Sequence, residues 1–168
     1  MNTIEQRPAT TGSLAQRILA EQVRLLYAQA PLDTIASLLI APMLVFVYWG
    51  VVPHTILLGW LALLETTILI RMALIAAFRR DPNSDADAAR WARRYTWACT
   101  VSGACWGGCL ILLVLFPSLV YQSLTALVLG GVLMGSAPTM ASVLITYVAY
   151  VLPLILPSML WLLLQDDP

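Results

Sequence analysis

The sequence predicts an all-α integral membrane protein: a bundle of five transmembrane helices preceded by an amphipathic interfacial helix. Hydrophobic residues make up 60% of the 168-residue chain and charged residues only 11%. A helix needs about 20 apolar residues to cross a bilayer core. A soluble domain of this length has too little interior to bury so much apolar surface. The five apolar stretches are 33–52, 55–78, 95–116, 121–137 and 143–164.

The placement of arginine predicts the orientation of the chain. All nine basic residues are Arg, and none lies in the short links 50–54 and 117–120. Arg near the ends of spans stays on the cytoplasmic side. We therefore expect the N-terminus and the link 79–94 to be cytoplasmic and, after five crossings, the C-terminal end of the chain to be outside. The link carries Arg79, Arg80, Arg90, Arg93 and Arg94.

The N-terminal segment 1–30 is predicted to be cytoplasmic or interfacial. Residues 13–30 form an amphipathic pattern that begins at Ser13, and we expect Pro31 to end this helix. A helix with one apolar side and one charged side suits the surface of the inner leaflet. The alternative is a soluble helix packed on another cytoplasmic part. The remaining residues, 31–168, form the predicted transmembrane domain.

The link between the second and third spans contains turn and helix-start signals. Asp81-Pro82-Asn83 is a turn sequence, and Ser84 followed by Asp87 resembles a capping box. Acidic side chains at a helix N-terminus also complement the helix dipole. We expect one helix from about 85 to 116, with its first turns projecting into the cytoplasm.

Two Gly-x-x-x-Gly pairs lie in the third and fourth spans. Small residues at this spacing allow two membrane helices to approach closely. The pattern predicts either packing within the bundle or contact between two copies of the chain. The residues are Gly103 with Gly107, and Gly131 with Gly135.

Glu65 is the strongest candidate for a functional residue. It lies near the middle of the second span, where translocon scales put an acidic residue at a cost of roughly 2.5–3.5 kcal/mol. It would bind the polar group of a ligand, sense protons or hydrogen-bond across helices; the alternative is a structural, protonated Glu bonded to a neighbouring backbone or hydroxyl group. Arg71, six residues on, is expected to snorkel toward the inner interface. The alternative for Arg71 is a buried pair with Glu65 or with a ligand carboxylate.

Aromatic residues and prolines indicate where a ligand pocket would form. Pro153 and Pro157 each remove a backbone donor from the fifth span, so that helix is predicted to be kinked. A break in a helix that lines a cavity favours a pocket. Trp60, Trp106 and Tyr147 are the aromatic candidates for contact with a ligand, beside Glu65 and Arg71.

Several classes of site have little support in the sequence. The single histidine, His54, lies at the predicted outer edge, and three Cys without a nearby His or acid make a weak metal site. We expect no metal, no cofactor and no disulfide framework. The Arg-rich link is better explained by topology and anionic lipid than by nucleic acid.

Four segments give the chain a resemblance to a known class of protein. They are VRLLYAQAP (23–31), GWLALLETTILIRMAL (59–74), RWARRY (90–95) and SGACWG (102–107). In this order they resemble the multi-pass N-terminal sensory regions of bacterial signalling proteins that precede a histidine kinase or a GGDEF diguanylate cyclase domain. The resemblance implies a sensor in the bacterial inner membrane, working as a homodimer. It also implies a sixth span and a cytoplasmic output domain after this chain.

The sequence therefore favours a membrane-embedded sensory module that is not itself an enzyme. No kinase or cyclase motif is present in the 168 residues. The outer links are too short to form a separate ligand domain, so the signal would be an apolar or amphiphilic molecule bound within the bundle. The alternative is a small transporter or channel subunit. That function calls for a polar pathway, for which only Glu65 and Arg71 are candidates.

Overall fold

The computed structural model describes residues 9–115 and 118–164. These residues form helices joined by short turns, with no strand in either range, so the all-α class is confirmed. Three of the helices are long and apolar enough to cross a membrane, over Leu14–Tyr48, His54–Arg80 and Leu119–Met140. Five crossings stay a prediction. The helices are α1 (Ala9–Tyr48), α2 (His54–Arg80), α3 (Ala88–Leu115), α4 (Leu119–Met140) and α5 (Leu144–Leu164).

Helices α1, α3 and α4 each contribute a narrow buried seam with alternating spacings of three and four residues. This spacing keeps one side of a helix against its neighbours in a left-handed bundle, with the opposite side exposed. The exposed side is rich in large apolar residues, as expected for a surface in contact with lipid. The α1 seam is Tyr27, Ala30, Thr34, Ser37, Ala41, Leu44 and Tyr48; the α3 seam is Tyr95, Cys99, Ser102, Trp106 and Cys109.

The prediction that Pro31 ends a separate interfacial helix is wrong. α1 is one helix of 40 residues, about 60 Å long, and it contains Pro31 and Pro42. Tyr27 and Ala30 are buried before Pro31, and Asp33 and Thr34 are buried after it. Tertiary packing on both sides therefore outweighs the backbone hydrogen bond that the proline removes. A segment that continues into a candidate span as one helix is not a separate helix on the leaflet surface.

Aromatic side chains hold α1 against α2 and α3 at one end of the bundle. We call this the arginine end: the C-terminus of α2, with Arg79 and Arg80, and the N-terminus of α3. The ring of Tyr27 stacks on Phe78 with centroids 4.0 Å apart, and Trp91 meets both rings edge-on. The Tyr27 hydroxyl also donates to the Trp91 carbonyl at 3.2 Å.

The link between α2 and α3 is a turn, as predicted, but α3 begins at Ala88 and not near residue 85. The Asp81 carboxylate accepts hydrogen bonds from the Asn83 backbone amide at 2.9 Å and from the Trp91 indole at 3.1 Å. The Ser84 backbone amide donates to the Asp81 carbonyl. The Asp87 carboxylate pairs with Arg90 at 2.5 Å. The predicted Ser84–Asp87 capping box is therefore replaced by these contacts.

The two glycine pairs occupy different environments. A Cβ added to Gly103 would collide with the Tyr150 carbonyl of α5, and one added to Gly107 would lie 2.5 Å from the Pro153 carbonyl. α3 and α5 thus approach backbone to backbone. A Cβ at Gly131 or Gly135 would meet nothing within 4 Å. These two glycines do not mediate packing between the described residues, and their contact with a second copy stays a prediction.

Candidate functional site

A buried ion pair joins α1 and α2. Nη2 of Arg71 lies 2.5 Å from a carboxylate oxygen of Asp33, and the side chains are 0% and 5% exposed. The same Nη2 donates to the Tyr95 hydroxyl of α3 at 3.0 Å. The guanidinium also lies over the Tyr95 ring, 5.5 Å from its centroid. Charges are rarely buried without such partners, because their desolvation is costly.

The continuity of α1 places Asp33 in this position. Because the helix passes through Pro31, Asp33 lies beside the seam that contains Ala30, Thr34 and Ser37. Arg71 lies nine residues before the end of α2, about 14 Å along the axis at 1.5 Å per residue. The guanidinium is fully buried, so the prediction that Arg71 snorkels to the interface is wrong. Its partner is Asp33 and not Glu65.

Three polar atoms at this site have no hydrogen-bond partner among the described residues. They are Nε and Nη1 of Arg71 and the hydroxyl oxygen of Tyr150 on α5. Tyr150 packs on Gly103 of α3, next to the seam that contains Tyr95 and Cys99, and its hydroxyl is within electrostatic range of Asp33 and Arg71. An unsatisfied buried donor costs about 1–3 kcal/mol, and more when it is charged. We call Asp33, Arg71, Tyr95 and Tyr150 the polar centre.

A cavity of about 170 Å³ between α1 and α4 reaches the polar centre. Asp33 and Ser37 supply polar lining on the α1 side, and Gly131 and Gly135 lie on the α4 side. The absence of side chains at the two glycines leaves this space open. The remaining lining residues are Leu32, Ala36, Ile40 and Val132. The cavity is mostly apolar with a polar edge at Asp33 and Ser37, so it can hold an apolar part of a small ligand with a polar group at that edge.

The charges of the polar centre determine which ligand atoms it accepts. Arg71 stays protonated, and an ionised Asp33 makes the pair neutral overall. Nε and Nη1 remain available as donors, so the site favours an uncharged hydrogen-bond acceptor such as water or a carbonyl oxygen. An anionic ligand would compete with Asp33 for the same guanidinium.

Glu65, the leading candidate from sequence, is separate from the polar centre. It is half-buried on α2, and its Oε1 atom is buried without a hydrogen-bond partner among the described residues. The position fits a protonated carboxyl group facing the bundle, and it also leaves an acceptor free for a ligand.

Of the three aromatic candidates, Trp60 and Trp106 pack against each other, and Tyr147 lies on α5 one turn before Tyr150. The Trp60 indole donates to the Cys105 carbonyl at 2.8 Å, and its ring meets Trp106 edge-on with centroids 5.9 Å apart. Trp106 is fully buried, and its indole nitrogen has no partner among the described residues. Tyr147 is half-buried on α5, three residues before Tyr150. Pro153 and Pro157 lie inside α5, which continues through both.

Sequence reasoning missed Asp33, Tyr95 and Tyr150. A signal for Asp33 was present: it lies six residues after Tyr27 and four before Ser37, within one continuous three–four pattern. A helix that ended at Pro31 would divide this pattern, whereas α1 continues through the proline. Tyr95 and Tyr150 carry no local signal, because only the packing of α3 and α5 brings them near Arg71.

Metal ligation has no candidate in the part of the chain that the structure describes. There, no group of three or more His, Cys, Asp or Glu side chains is close enough to hold a metal ion. The three cysteines are buried free thiols. Comparison of the chain with family models, curated proteins and solved structures finds no match.

Proposed function

We propose that this chain is the membrane-embedded sensory module of a bacterial signal-transduction protein, and that the polar centre receives the signal. The observation that carries the proposal is the buried Arg71 guanidinium, which has two unpartnered nitrogens and is paired with Asp33, a residue that lines a cavity. A purely structural ion pair would be expected to satisfy its donors within the fold. Donors left free at the meeting point of four helices favour a bound acceptor.

The proposed signal is an apolar or amphiphilic molecule with an uncharged hydrogen-bond acceptor. It would enter from the bilayer between α1 and α4, where the open glycine side leaves space. Its acceptor would reach the Arg71 donors, and its apolar part would lie against Leu32, Ile40 and Val132. Glu65 would be a second polar contact only if the ligand extended along α2.

Transmission would run through α1, which connects the polar centre to the arginine end. A ligand shifts an equilibrium only if it binds one arrangement of the helices better than another. Displacement of Asp33 from Arg71 would be such a difference. The resulting movement of α1 would regulate an attached cytoplasmic kinase or diguanylate cyclase domain, in a homodimer at the inner membrane with the N-terminus cytoplasmic.

Hydrogen exchange in lipid nanodiscs tests this proposal. A long-chain methyl ketone is compared with the alkane of equal length, and exchange is followed by mass spectrometry in residues 14–30 and 81–87. We expect the ketone, and not the alkane, to change exchange in both segments. Tyr150→Phe and Glu65→Gln are measured alongside, because both keep the shape of the side chain.

The outcomes separate the possible sites. A response that Tyr150→Phe weakens and Glu65→Gln leaves intact supports the polar centre. A response that only Glu65→Gln abolishes places the ligand contact at Glu65. Equal effects of ketone and alkane would refute recognition of an acceptor.

A transporter or channel subunit is the second candidate, because the same cavity is also what a polar pathway would need near its midpoint. Proton or solute flux into proteoliposomes that depends on Asp33 would favour it. No flux together with a ketone response would favour the sensor.

A further inference from the structure

We propose that the groove between α2 and α3 near the arginine end is a binding site for an anionic phospholipid. The groove has a volume of about 450 Å³ and runs along the outside of the bundle. Arg94 supplies its charged residue, and nearly all the rest is apolar. The lining residues are Thr67, Ile70, Leu74, Arg94, Trp97, Ala98 and Val101.

The shape of the groove fits an acyl chain below a headgroup. From Arg94 to Val101 the lining covers seven residues of α3, or about 10 Å along the axis. Ala98 leaves room between the two helices, and Trp97, 66% exposed, stands at the side. The apolar part therefore extends from Arg94 toward the middle of the bundle, which is the direction a chain takes below its phosphate.

The charges nearby leave Arg94 available to an anion. Its guanidinium lies over the Trp91 ring, 5.3 Å from the centroid, and no carboxylate among the described residues pairs with it. The acidic residues of the link have other partners. Asp85 pairs with Arg24, Asp87 with Arg90, and Asp81 with Trp91 and Arg90.

A bilayer lipid fits this site better than a free phosphate. A free phosphate would use Arg94 alone and leave the apolar groove unoccupied, whereas a phospholipid fills both parts. Basic residues in pockets between membrane helices on the cytoplasmic side commonly hold anionic headgroups. A smaller groove of about 210 Å³ between α1 and α2 is capped in the same way by Arg79.

Native mass spectrometry of the detergent-solubilised protein tests the site. Phosphatidylglycerol and phosphatidylcholine are titrated into the wild type, Arg94→Gln and Arg93→Gln, the last being a neighbouring arginine outside the groove. We expect phosphatidylglycerol to bind preferentially and Arg94→Gln to weaken it about five-fold, since one basic residue contributes about 1 kcal/mol near an anionic surface. Arg93→Gln should have a smaller effect.

A second pair of variants tests the apolar part. Ala98→Phe would fill the groove, whereas Ala89→Phe lies on an exposed part of α3 outside it. We expect only Ala98→Phe to reduce lipid binding. Equal binding of the two lipids, equal losses in Arg93→Gln and Arg94→Gln, or competition by inorganic phosphate as strong as by lipid would overturn the proposal. None of these outcomes depends on the sensory role.

Discussion

At the scale of single residues, removing one partner of the buried ion pair in the polar centre should cost more stability than removing both. Asp33 and Arg71 attract each other strongly where water is scarce, but both lost hydration on burial. Removing one partner leaves the other charge buried without compensation. Removing both exchanges a compensated pair for apolar packing, which is often nearly neutral.

A double-mutant cycle measures this asymmetry. Arg71→Met should lower the free energy of unfolding by about 3–5 kcal/mol, because Asp33 loses its charged partner. Asp33→Leu/Arg71→Met should cost clearly less than the sum of the two single changes. Unfolding in mixed micelles with increasing SDS, followed by far-ultraviolet circular dichroism, gives the values. Additive losses would show that the pair is not coupled.

Glu65 gives a contrasting prediction at the same scale. Its buried Oε1 has no hydrogen-bond partner among the described residues, so Glu65→Gln keeps the shape of the side chain and breaks no contact there. The free energy of unfolding should therefore change by less than about 1 kcal/mol. The same SDS titration measures it. A loss of several kcal/mol would mean that Glu65 holds helices together through a contact that forms only in the membrane.

At the scale of helices, the closest approach in the bundle is between α3 and α5. The hydroxyl groups of Thr96 and Thr146 form a hydrogen bond of 2.7 Å, and Gly107 meets Pro153 further along both helices. α3 and α5 therefore run in the same direction. Close backbone packing positions Tyr150 near Arg71. Widening this contact would therefore disturb the polar centre as well as the packing.

Gly107→Ala and Gly108→Ala form a matched pair on adjacent positions. A Cβ at Gly107 meets the α5 backbone, which cannot yield as a flexible side chain would, and we expect a loss of about 1–3 kcal/mol. A Cβ at Gly108 meets nothing within 4 Å, so the helix propensity of Ala should stabilise this variant by up to about 1 kcal/mol. Thermal unfolding in detergent distinguishes them. Equal effects would contradict the close approach of α3 and α5.

At the scale of the whole molecule, neighbouring helices alternate in direction along the chain. Tyr27 meets Phe78 and, further along α1, Asp33 meets Arg71, so α1 runs antiparallel to α2. Asp33 shares a cavity with Gly135 and, further along α1, Tyr48 meets Tyr121, so α1 also runs antiparallel to α4. This alternation agrees with successive crossings. The structure supports three spans by length and composition, and the arginine end supplies the charge asymmetry that would orient them.

Reporter fusions in bacterial cells test five crossings. Alkaline phosphatase, active outside, and green fluorescent protein, fluorescent inside, are fused in separate copies after Gly50, Asp85 and Leu164. Five crossings with a cytoplasmic N-terminus predict phosphatase activity after Gly50 and Leu164 and fluorescence after Asp85. Fluorescence after Leu164 would show an even number of crossings.

Some of this organisation was predictable from sequence, and the rest depends on packing. Hydropathy predicted helices because every apolar stretch needs its backbone satisfied internally. It did not predict the continuity of α1, because a proline's local cost is visible in sequence and the packing that offsets it is not. Gly103 and Gly131 begin identical motifs, yet only Gly103 has a helix backbone opposite. Spacing reveals a small-residue face but not its neighbour.

Because α1 is one continuous helix, a movement at Asp33 is passed to the N-terminal end of that helix. Twenty-four residues separate Asp33 from the start of the helix at Ala9, about 36 Å of helix, and the packing of Tyr27 and Ala30 before Pro31 and of Asp33 and Thr34 after it opposes bending at that proline. A tilt of a few degrees at the Asp33 contact would thus sweep the far tip through an ångström or more. A rearrangement at Asp33 no larger than the length of one hydrogen bond would in this way displace the N-terminal end of α1 by a comparable or larger distance.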